Sequence, residues 1–373
     1  MGLVEPLTAI VVSFCFLGAL LYKRVHLGIA LNATALLLAL LSLSWQKIPS
    51  LIFGTTVDPL TISVVLATFG VMLLSRLYKE TGVINDLSES LIRIVRNSKV
   101  VSSALPAVIG LLPVAGGTLM SAPLVDLEAE KLGLKPEKKA YVNFWFRHTI
   151  FPVYPVGQTL IITAALTRIA MPLIIMRQIP VVITMIIVGY FVGFWKVSTA
   201  KDKRHSSSSE SPNSAFKGFF VAFSPILATI VVVIGLSLTG FGLAEKGLDV
   251  TMATIIGLVT LIAISRLSPR VFAKPLKGWE IYGVMFAAYG AFSLRNTMIA
   301  MGISEIFGTL VTNEGANTAL PLTVVPAVLG FFTGSAFGGV SISVPILAGI
   351  LTFSPETAAL IYMSAYLGYV IAP

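Results

Sequence analysis

The segment Pro106-Ala107-Val108-Ile109-Gly110 returns as Pro326-Ala327-Val328-Leu329-Gly330, and this duplication decides the fold that we expect. The same offset of 220 residues pairs further positions, namely Gly70 with Gly290, Gly82 with Gly302, and Asn97 with Asn317. After a slip of one residue, Pro136-Glu137 pairs with Pro355-Glu356. The chain therefore contains two copies of one unit.

Composition predicts that this duplicated chain lies in a membrane. Of its 373 residues, 56% are hydrophobic and only 12% are charged, with a mean hydropathy of +0.91. This balance excludes a soluble domain. The first apolar segment lacks a basic start and a small-residue cleavage site, so we interpret it as a retained helix. Cys15 is the only cysteine, which excludes disulfides within one chain. A duplicated unit in such a chain is typical of a transporter.

The apolar runs predict an all-α integral membrane protein. A helix needs roughly 20 residues to cross a hydrocarbon core of about 30 Å. Nine full or partial crossings fall near residues 3–22, 27–45, 58–78, 138–167, 173–195, 217–240, 249–266, 279–300 and 355–373.

Basic residues indicate which loops face the cytoplasm. They gather in alternate loops, at 23–24, 76–99, 131–139, 196–217 and 266–277. Since cytoplasmic loops are enriched in Lys and Arg, this pattern predicts a multi-pass protein of the cell inner (plasma) membrane with its N-terminus outside. The pattern also accounts for the net charge of +9 without a nucleic-acid partner.

Two more apolar stretches, at about 103–125 and 323–348, are interrupted by glycine-rich centres at 113–118 and 333–339. Each centre leaves arms of about ten residues, or roughly 15 Å of helix, which is half a membrane. We expect both stretches to be re-entrant hairpins that leave on the side where they enter. Each half then holds five transmembrane helices and one hairpin, and the second half is inverted relative to the first.

This interpretation divides the chain into a first repeat at 1–196, a polar cytoplasmic linker at 197–216 and a second, inverted repeat at 217–373. A broken helix follows each hairpin. In the first repeat the break lies at 152–159, and in the second Pro373 aligns with Pro155. We therefore expect the final span of the second half to be absent from this sequence. Either the natural chain is roughly forty residues longer, or the protein lacks one span.

The hairpin tips and helix breaks predict a cavity, because unpaired backbone groups are costly in hydrocarbon. Free amides there suit an anion, whereas free carbonyls and hydroxyls suit Na⁺. The candidate substrate or ion ligands are Gly116, Gly117, Thr118, Ser121, Asn143, Arg147, His148, Gln158, Thr159, Thr333, Gly334, Ser335, Gly338, Gly339, Ser341 and Ser343. The alternative is that the small residues among them only let helices pack closely.

Arg147 and His148 lie near the midplane if the helix beginning at Pro136 enters from the cytoplasm. A charge there is costly, so Arg147 either forks onto a carboxylate substrate or caps carbonyls exposed by the break. His148 either carries a proton or makes a structural hydrogen bond. The middle of each predicted span lacks Asp and Glu, which favours Na⁺ over a proton as the coupling ion.

The stretch Pro113-Val-Ala-Gly116-Gly117-Thr118-Leu-Met-Ser121-Ala122-Pro123, with the repeat and the broken helix, resembles the hairpins of the ion-transporter superfamily. That group includes dicarboxylate, citrate, gluconate and arsenite transporters. The chain is most similar to a poorly characterised prokaryotic family of about ten spans within it. Dicarboxylate members carry Ser-Asn-Thr at both tips, where this chain has Gly116-Gly117-Thr118 and Ser335-Ala336-Phe337. The resemblance implies a homodimer with a fixed scaffold and a moving transport domain.

These observations predict a secondary active transporter of a small solute, an organic anion such as a carboxylate, coupled to Na⁺ or H⁺ by alternating access. Apart from Na⁺ no cofactor is expected, and the metal ligands stay unknown beyond tip backbone and hydroxyl oxygens. The partners are the lipid bilayer and the solute. The alternatives are a cation/proton antiporter and a non-transporting scaffold. The sequence lacks the paired aspartates, Ser with His base, or zinc motif of an intramembrane enzyme.

Overall fold

The computed structural model describes residues 4–95, 97–112, 117–197, 212–239, 247–302, 319–348 and 351–372. Within these ranges every regular element is helical. The first half contains α1 Pro6–Tyr22, α2 Leu27–Ser42, α3 Lys47–Val57, α4 Pro59–Glu80, α5 Val83–Ile94, α6 Ser98–Gly110, α7 Gly117–Lys131, α8 Pro136–Thr149, a 3₁₀ turn at Phe151–Val153, α9 Gln158–Thr167 and α10 Met171–Phe194. The second half contains α11 Pro212–Leu238, α12 Leu248–Ser265, α13 Pro269–Leu276, α14 Trp279–Ala300, α15 Ala319–Thr333, α16 Ala336–Leu347 and α17 Pro355–Val370.

Among the described residues, five helical segments are long and apolar enough to cross a membrane. They are Pro59–Glu80, Pro136–Thr167, Met171–Phe194, Asn213–Leu238 and Leu248–Ser265. Five shorter apolar helices accompany them, at Pro6–Tyr22, Leu27–Ser42, Ser98–Gly110, Ala319–Thr333 and Ala336–Leu347. Length and composition together indicate an all-helical membrane protein.

Local sequence signals set several helix ends. Asp58 begins α4, since its carboxylate accepts from the Thr61 amide at 2.9 Å. The equivalent glycines Gly82 and Gly302 both have a φ of +75°, a left-handed conformation that suits glycine. Gly82 follows the end of α4 by two residues, and Gly302 follows the end of α14 by two residues. The two positions paired by the repeat thus have the same backbone conformation at equivalent places.

The helices α2, α4, α12 and α14 pack together in the main apolar core. Asn32 of α2 donates from Nδ2 to the Phe286 carbonyl of α14 at 2.8 Å, and Thr251 of α12 donates from Oγ1 to the Ser63 carbonyl of α4 at 2.9 Å. The helices α4 and α14, which the repeat pairs, pack against each other in antiparallel orientation. The ion pair between Arg76, near the end of α4, and Glu280, near the start of α14, shows this orientation.

Two helix pairs occupy the regions predicted to be hairpins. In the first, α6 packs against α7, and in the second α15 packs against α16. The tip of the first, residues 113–116, lies outside the described residues. In the second, Thr333 ends α15, Gly334 has a φ of +58°, and Ser335 caps α16 by accepting from the Gly338 amide at 3.3 Å. The sequence interpretation did not include the short helices α3, α5 and α13.

The hairpin helices approach the helices that follow them at equivalent glycines. Gly110 lies against the carbonyl of Arg147, and Gly330 lies against the carbonyl of Ala365. A Cβ atom at either position would overlap the opposing backbone, so close approach explains why both copies of the repeat have glycine there.

We expect Gly110→Ala to lower the free energy of unfolding by about 1–3 kcal/mol, because the added Cβ would lie 2.6 Å from the Arg147 carbonyl oxygen. Thermal unfolding of the purified protein in detergent measures the change. Gly235→Ala in α11 is the matched control, since a Cβ there meets no atom within 4 Å. Equal melting temperatures for the two variants would contradict the close contact.

Candidate functional site

The first hairpin contributes one buried polar contact with the following helix. Ser121 of α7 is fully buried and donates from Oγ to Oδ1 of Asn143 in α8 at 2.6 Å. The structure therefore brings these two predicted ligands together. Gly116 lies outside the described residues, and Gly117 and Thr118 begin α7.

Between α8 and α9 the chain leaves the α-helical path, as the sequence predicts. The prolines at 152 and 155 lack the backbone N–H that an α-helical hydrogen bond requires, and the chain forms a 3₁₀ turn at Phe151–Val153 instead. Two carbonyls near the break are satisfied by α17. Tyr366 donates its hydroxyl to the His148 carbonyl at 2.6 Å, and Tyr362 donates to the Phe151 carbonyl at 2.7 Å. The last helix of the described chain thus completes the broken helix of the first half.

Both ring nitrogens of His148 have a polar neighbour. Its Nδ1 lies 2.6 Å from the Phe144 carbonyl and donates to it, while Nε2 lies 3.4 Å from the Tyr369 hydroxyl. The rings of Phe144 and Phe151 pack on either side at centroid distances of 4.4 and 5.7 Å. These contacts favour the structural hydrogen-bonding role for His148.

Arg147 is only 5% exposed, and in the described part of the chain its Nη1 has no hydrogen-bond partner. The carbonyls of His148 and Phe151 take their hydrogen bonds from tyrosines, which removes the main reason for Arg147 to act as a cap. A buried guanidinium with an unpaired N–H is costly unless it receives an acceptor. Nη1 of Arg147 is therefore left with a hydrogen to donate in the described structure.

Two further donors are in the same situation within the described residues. Nε2 of Gln158, at the first position of α9, is buried without a partner, and so is Oγ of the fully buried Ser341 in α16. The helices α9 and α16 pack against each other, and α17 packs against both. Since α17 also bonds to the carbonyls at the end of α8, the helices that carry Arg147, Gln158 and Ser341 all pack around the break.

The other predicted ligands have local roles. The Thr333 hydroxyl donates to the Leu329 carbonyl at 2.7 Å and the Ser335 carbonyl at 2.9 Å. Gly338 and Gly339 lie where α16 packs on α15, against Thr333 and Gly330 respectively. The hydroxyl of Ser343 lies 3.5 Å from the Val340 carbonyl, and the Thr159 carbonyl accepts from Thr163 at 2.6 Å.

A cavity of about 430 Å³ lies beside the break, between α8, α10 and α17. His148 and Tyr366 line it together with apolar side chains such as Trp145, Met185 and Leu367. The donors of Trp145, Thr184 and Tyr366 already bond to carbonyls. An anion would therefore lose its hydration there with few free donors to replace it, so this cavity does not suit a charged solute.

Sequence reasoning missed the tyrosines that stabilise the break. Tyr362, Tyr366 and Tyr369 recur at helical spacing, which places them on one face of α17. That spacing was the available signal, but their partners lie more than 200 residues earlier. Among the described residues, no group of three or more His, Cys, Asp or Glu side chains is placed to hold a metal ion.

The family described as "Protein of unknown function (DUF401)" matches residues 6–373, nearly the whole chain. No curated protein matches the sequence.

We expect Tyr366→Phe to lower the free energy of unfolding by roughly 1–3 kcal/mol, because it leaves the buried His148 carbonyl without a donor. Tyr362→Phe should act similarly through the Phe151 carbonyl. The matched control is Tyr190→Phe, at a tyrosine that is 41% exposed. If thermal unfolding does not separate the α17 variants from this control, the tyrosines do not stabilise the break.

Proposed function

We propose that this chain, which belongs to the DUF401 family over nearly its whole length, is a secondary active transporter of a small organic anion. The support is that three buried donors, on helices that pack around its helix break, have no hydrogen-bond partner in the described structure. A carboxylate is the substrate class that these donors suit best. Coupling to Na⁺ or H⁺ and alternating access complete the proposal.

The unpaired donors are the observation that carries this proposal. Nη1 of Arg147, Nε2 of Gln158 and Oγ of Ser341 each have a proton to donate and are buried without a partner in the described structure. Leaving such a group unsatisfied costs about 1–3 kcal/mol, and more for a charged group. A carboxylate has two oxygens that accept several hydrogen bonds and that match the guanidinium fork. Binding a carboxylate would therefore relieve these costs.

The course of the helices supports an inverted repeat, with halves at 1–196 and 217–373 and a linker at 197–216. Along α8 and its 3₁₀ turn the chain advances from His148 to Phe151, while the bonded tyrosines run backwards from Tyr366 to Tyr362. The equivalent helices α8 and α17 therefore point in opposite directions, as α4 and α14 do. Opposed copies that meet at a break are the arrangement in which a site opens alternately to either side.

The membrane and the assembly form part of the same proposal. The distribution of Lys and Arg supports an inner-membrane location with the N-terminus outside and the linker in the cytoplasm. The resemblance of the hairpins to those of the ion-transporter superfamily is the reason to propose a homodimer in which one unit moves against a fixed scaffold. Both hairpins and the helix break would belong to the moving unit.

The experiment is a thermal-shift screen of the purified protein against carboxylates and other small anions, in NaCl or choline chloride at matched ionic strength. We expect one carboxylate to raise the melting temperature, and to do so more strongly with Na⁺. Arg147→Gln should weaken that response about tenfold or more in anion concentration, because it removes a charge-assisted hydrogen bond.

Arg177→Gln is the matched control. Arg177 is half-exposed and pairs with Glu356 at 2.6 Å, so its loss should leave the anion response unchanged. Counterflow of the same carboxylate in proteoliposomes then tests transport directly. An anion response that survives Arg147→Gln would exclude this site. No response to any anion would favour a cation/proton antiporter or a non-transporting scaffold.

A further inference from the structure

The first hairpin has an apolar cluster of its own, separate from the main core. Val101 and Leu105 of α6, Val125 and Ala129 of α7, and Phe146 of α8 belong to it. A carboxylate, Glu128, lies on α7 among these residues and is only 2% exposed. The sequence interpretation placed the hairpin at 103–125 and gave Glu128 no role.

The two oxygens of Glu128 differ in their surroundings. Oε1 accepts from Nζ of Lys131 at 2.6 Å, and the Lys131 side chain is 45% exposed. Oε2 is inaccessible to solvent and has no hydrogen-bond partner among the described residues. Glu128 shares its helix face with Val125 and Leu132, two members of this apolar cluster. A buried oxygen such as Oε2 needs a donor or a cation.

The facing arm of the hairpin has a second unsatisfied oxygen. Ser102 of α6 is fully buried, and its Oγ has no hydrogen-bond partner in the described structure. Ser102 precedes Leu112, the last described residue after α6, by ten residues, and Glu128 follows Gly117, the first residue of α7, by eleven. Because α6 and α7 pack as consecutive helices, this count places the two residues at nearly the same height. Their side chains do not bond to each other, so the gap between the oxygens is wider than a hydrogen bond.

We propose that Glu128 and Ser102 hold a Na⁺ ion between the two arms of the first hairpin. Carboxylate and hydroxyl oxygens are ligands for hard cations, and each of these two oxygens is buried without a partner in the described structure. A single positive charge matches the one carboxylate better than a divalent ion, because Lys131 already contributes an ammonium to it. The role of this ion in coupling rests on the proposed function, whereas its binding does not.

In this arrangement the ammonium of Lys131 and the sodium ion both bind the carboxylate of Glu128, so the two cations lie close to each other. Removing the lysine charge should strengthen Na⁺ binding, since like charges near one group repel each other. A purely structural Glu128–Lys131 ion pair predicts instead that the lysine variant is less stable at every Na⁺ concentration, with no change in its Na⁺ dependence. The Na⁺ concentration that gives half of the stabilisation therefore distinguishes the two roles.

The test is a Na⁺ titration of the melting temperature without any carboxylate solute, with choline replacing Na⁺ at constant ionic strength. We expect the wild-type protein to be stabilised as Na⁺ rises. Glu128→Gln and Ser102→Ala should require about tenfold more Na⁺ or more, because each loses a ligand. Lys131→Met should reach the same stabilisation at lower Na⁺. The matched control is Glu130→Gln, since Glu130 has a side chain that is 69% exposed.

Each outcome decides the proposal. It is overturned if the wild type shows no Na⁺-dependent shift, as a bridging water would predict, or if Glu128→Gln responds like the wild type. A Lys131→Met variant that binds Na⁺ more weakly also overturns it. If Glu128→Gln does not fold, Ser102→Ala and Lys131→Met still carry the test. A Na⁺ response with no anion response would reject the anion transporter and keep this cation site. An anion response with no Na⁺ response would reject the cation site and keep the anion transporter.

Discussion

The structure depends on satisfying the backbone at the break between α8 and α9. In hydrocarbon no water is available to pair with a carbonyl, so a helix that breaks there needs donors from elsewhere in the protein. The hydroxyls of Tyr366 and Tyr362 supply them from α17. With those bonds made, the polar side chains around the break are not needed as caps, and Arg147 and Gln158 keep N–H groups for another partner. The irregular backbone and the proposed site thus share one physical origin.

Buried polar groups near the break and in the first hairpin differ in whether they have partners. Asn143 and Ser121 bond to each other between α7 and α8, and His148 bonds within α8 and lies 3.4 Å from the Tyr369 hydroxyl of α17. Arg147 and Ser341 are equally buried, yet each has an unpaired atom in the described structure. An unpaired donor lowers the stability of the free protein and raises the affinity for a ligand that pairs with it. The same contrast separates the two oxygens of Glu128.

Much of this arrangement could be predicted from local signals. The prolines at 152 and 155 predict the break, and the repeat pairs Gly82 with Gly302, which have the same left-handed conformation in the structure. The choice between packing and binding at Gly338 and Gly339 could not be made, because it depends on the distance between α15 and α16. Tyr366 and Glu128 were missed for a related reason. Their roles depend on burial and on partners that only the packed chain brings together.

The contacts at the break also constrain the order in which the protein is made. The Tyr362 hydroxyl and the Phe151 carbonyl that it binds are separated by 211 residues, and the Tyr366–His148 pair by 218. During synthesis the broken helix enters the membrane long before its tyrosines leave the ribosome. At about 5–20 residues per second, that interval lasts on the order of ten seconds or more. Until α17 arrives, water or the insertion machinery has to satisfy those carbonyls, so the first half stays at a hydrated boundary before it is sealed.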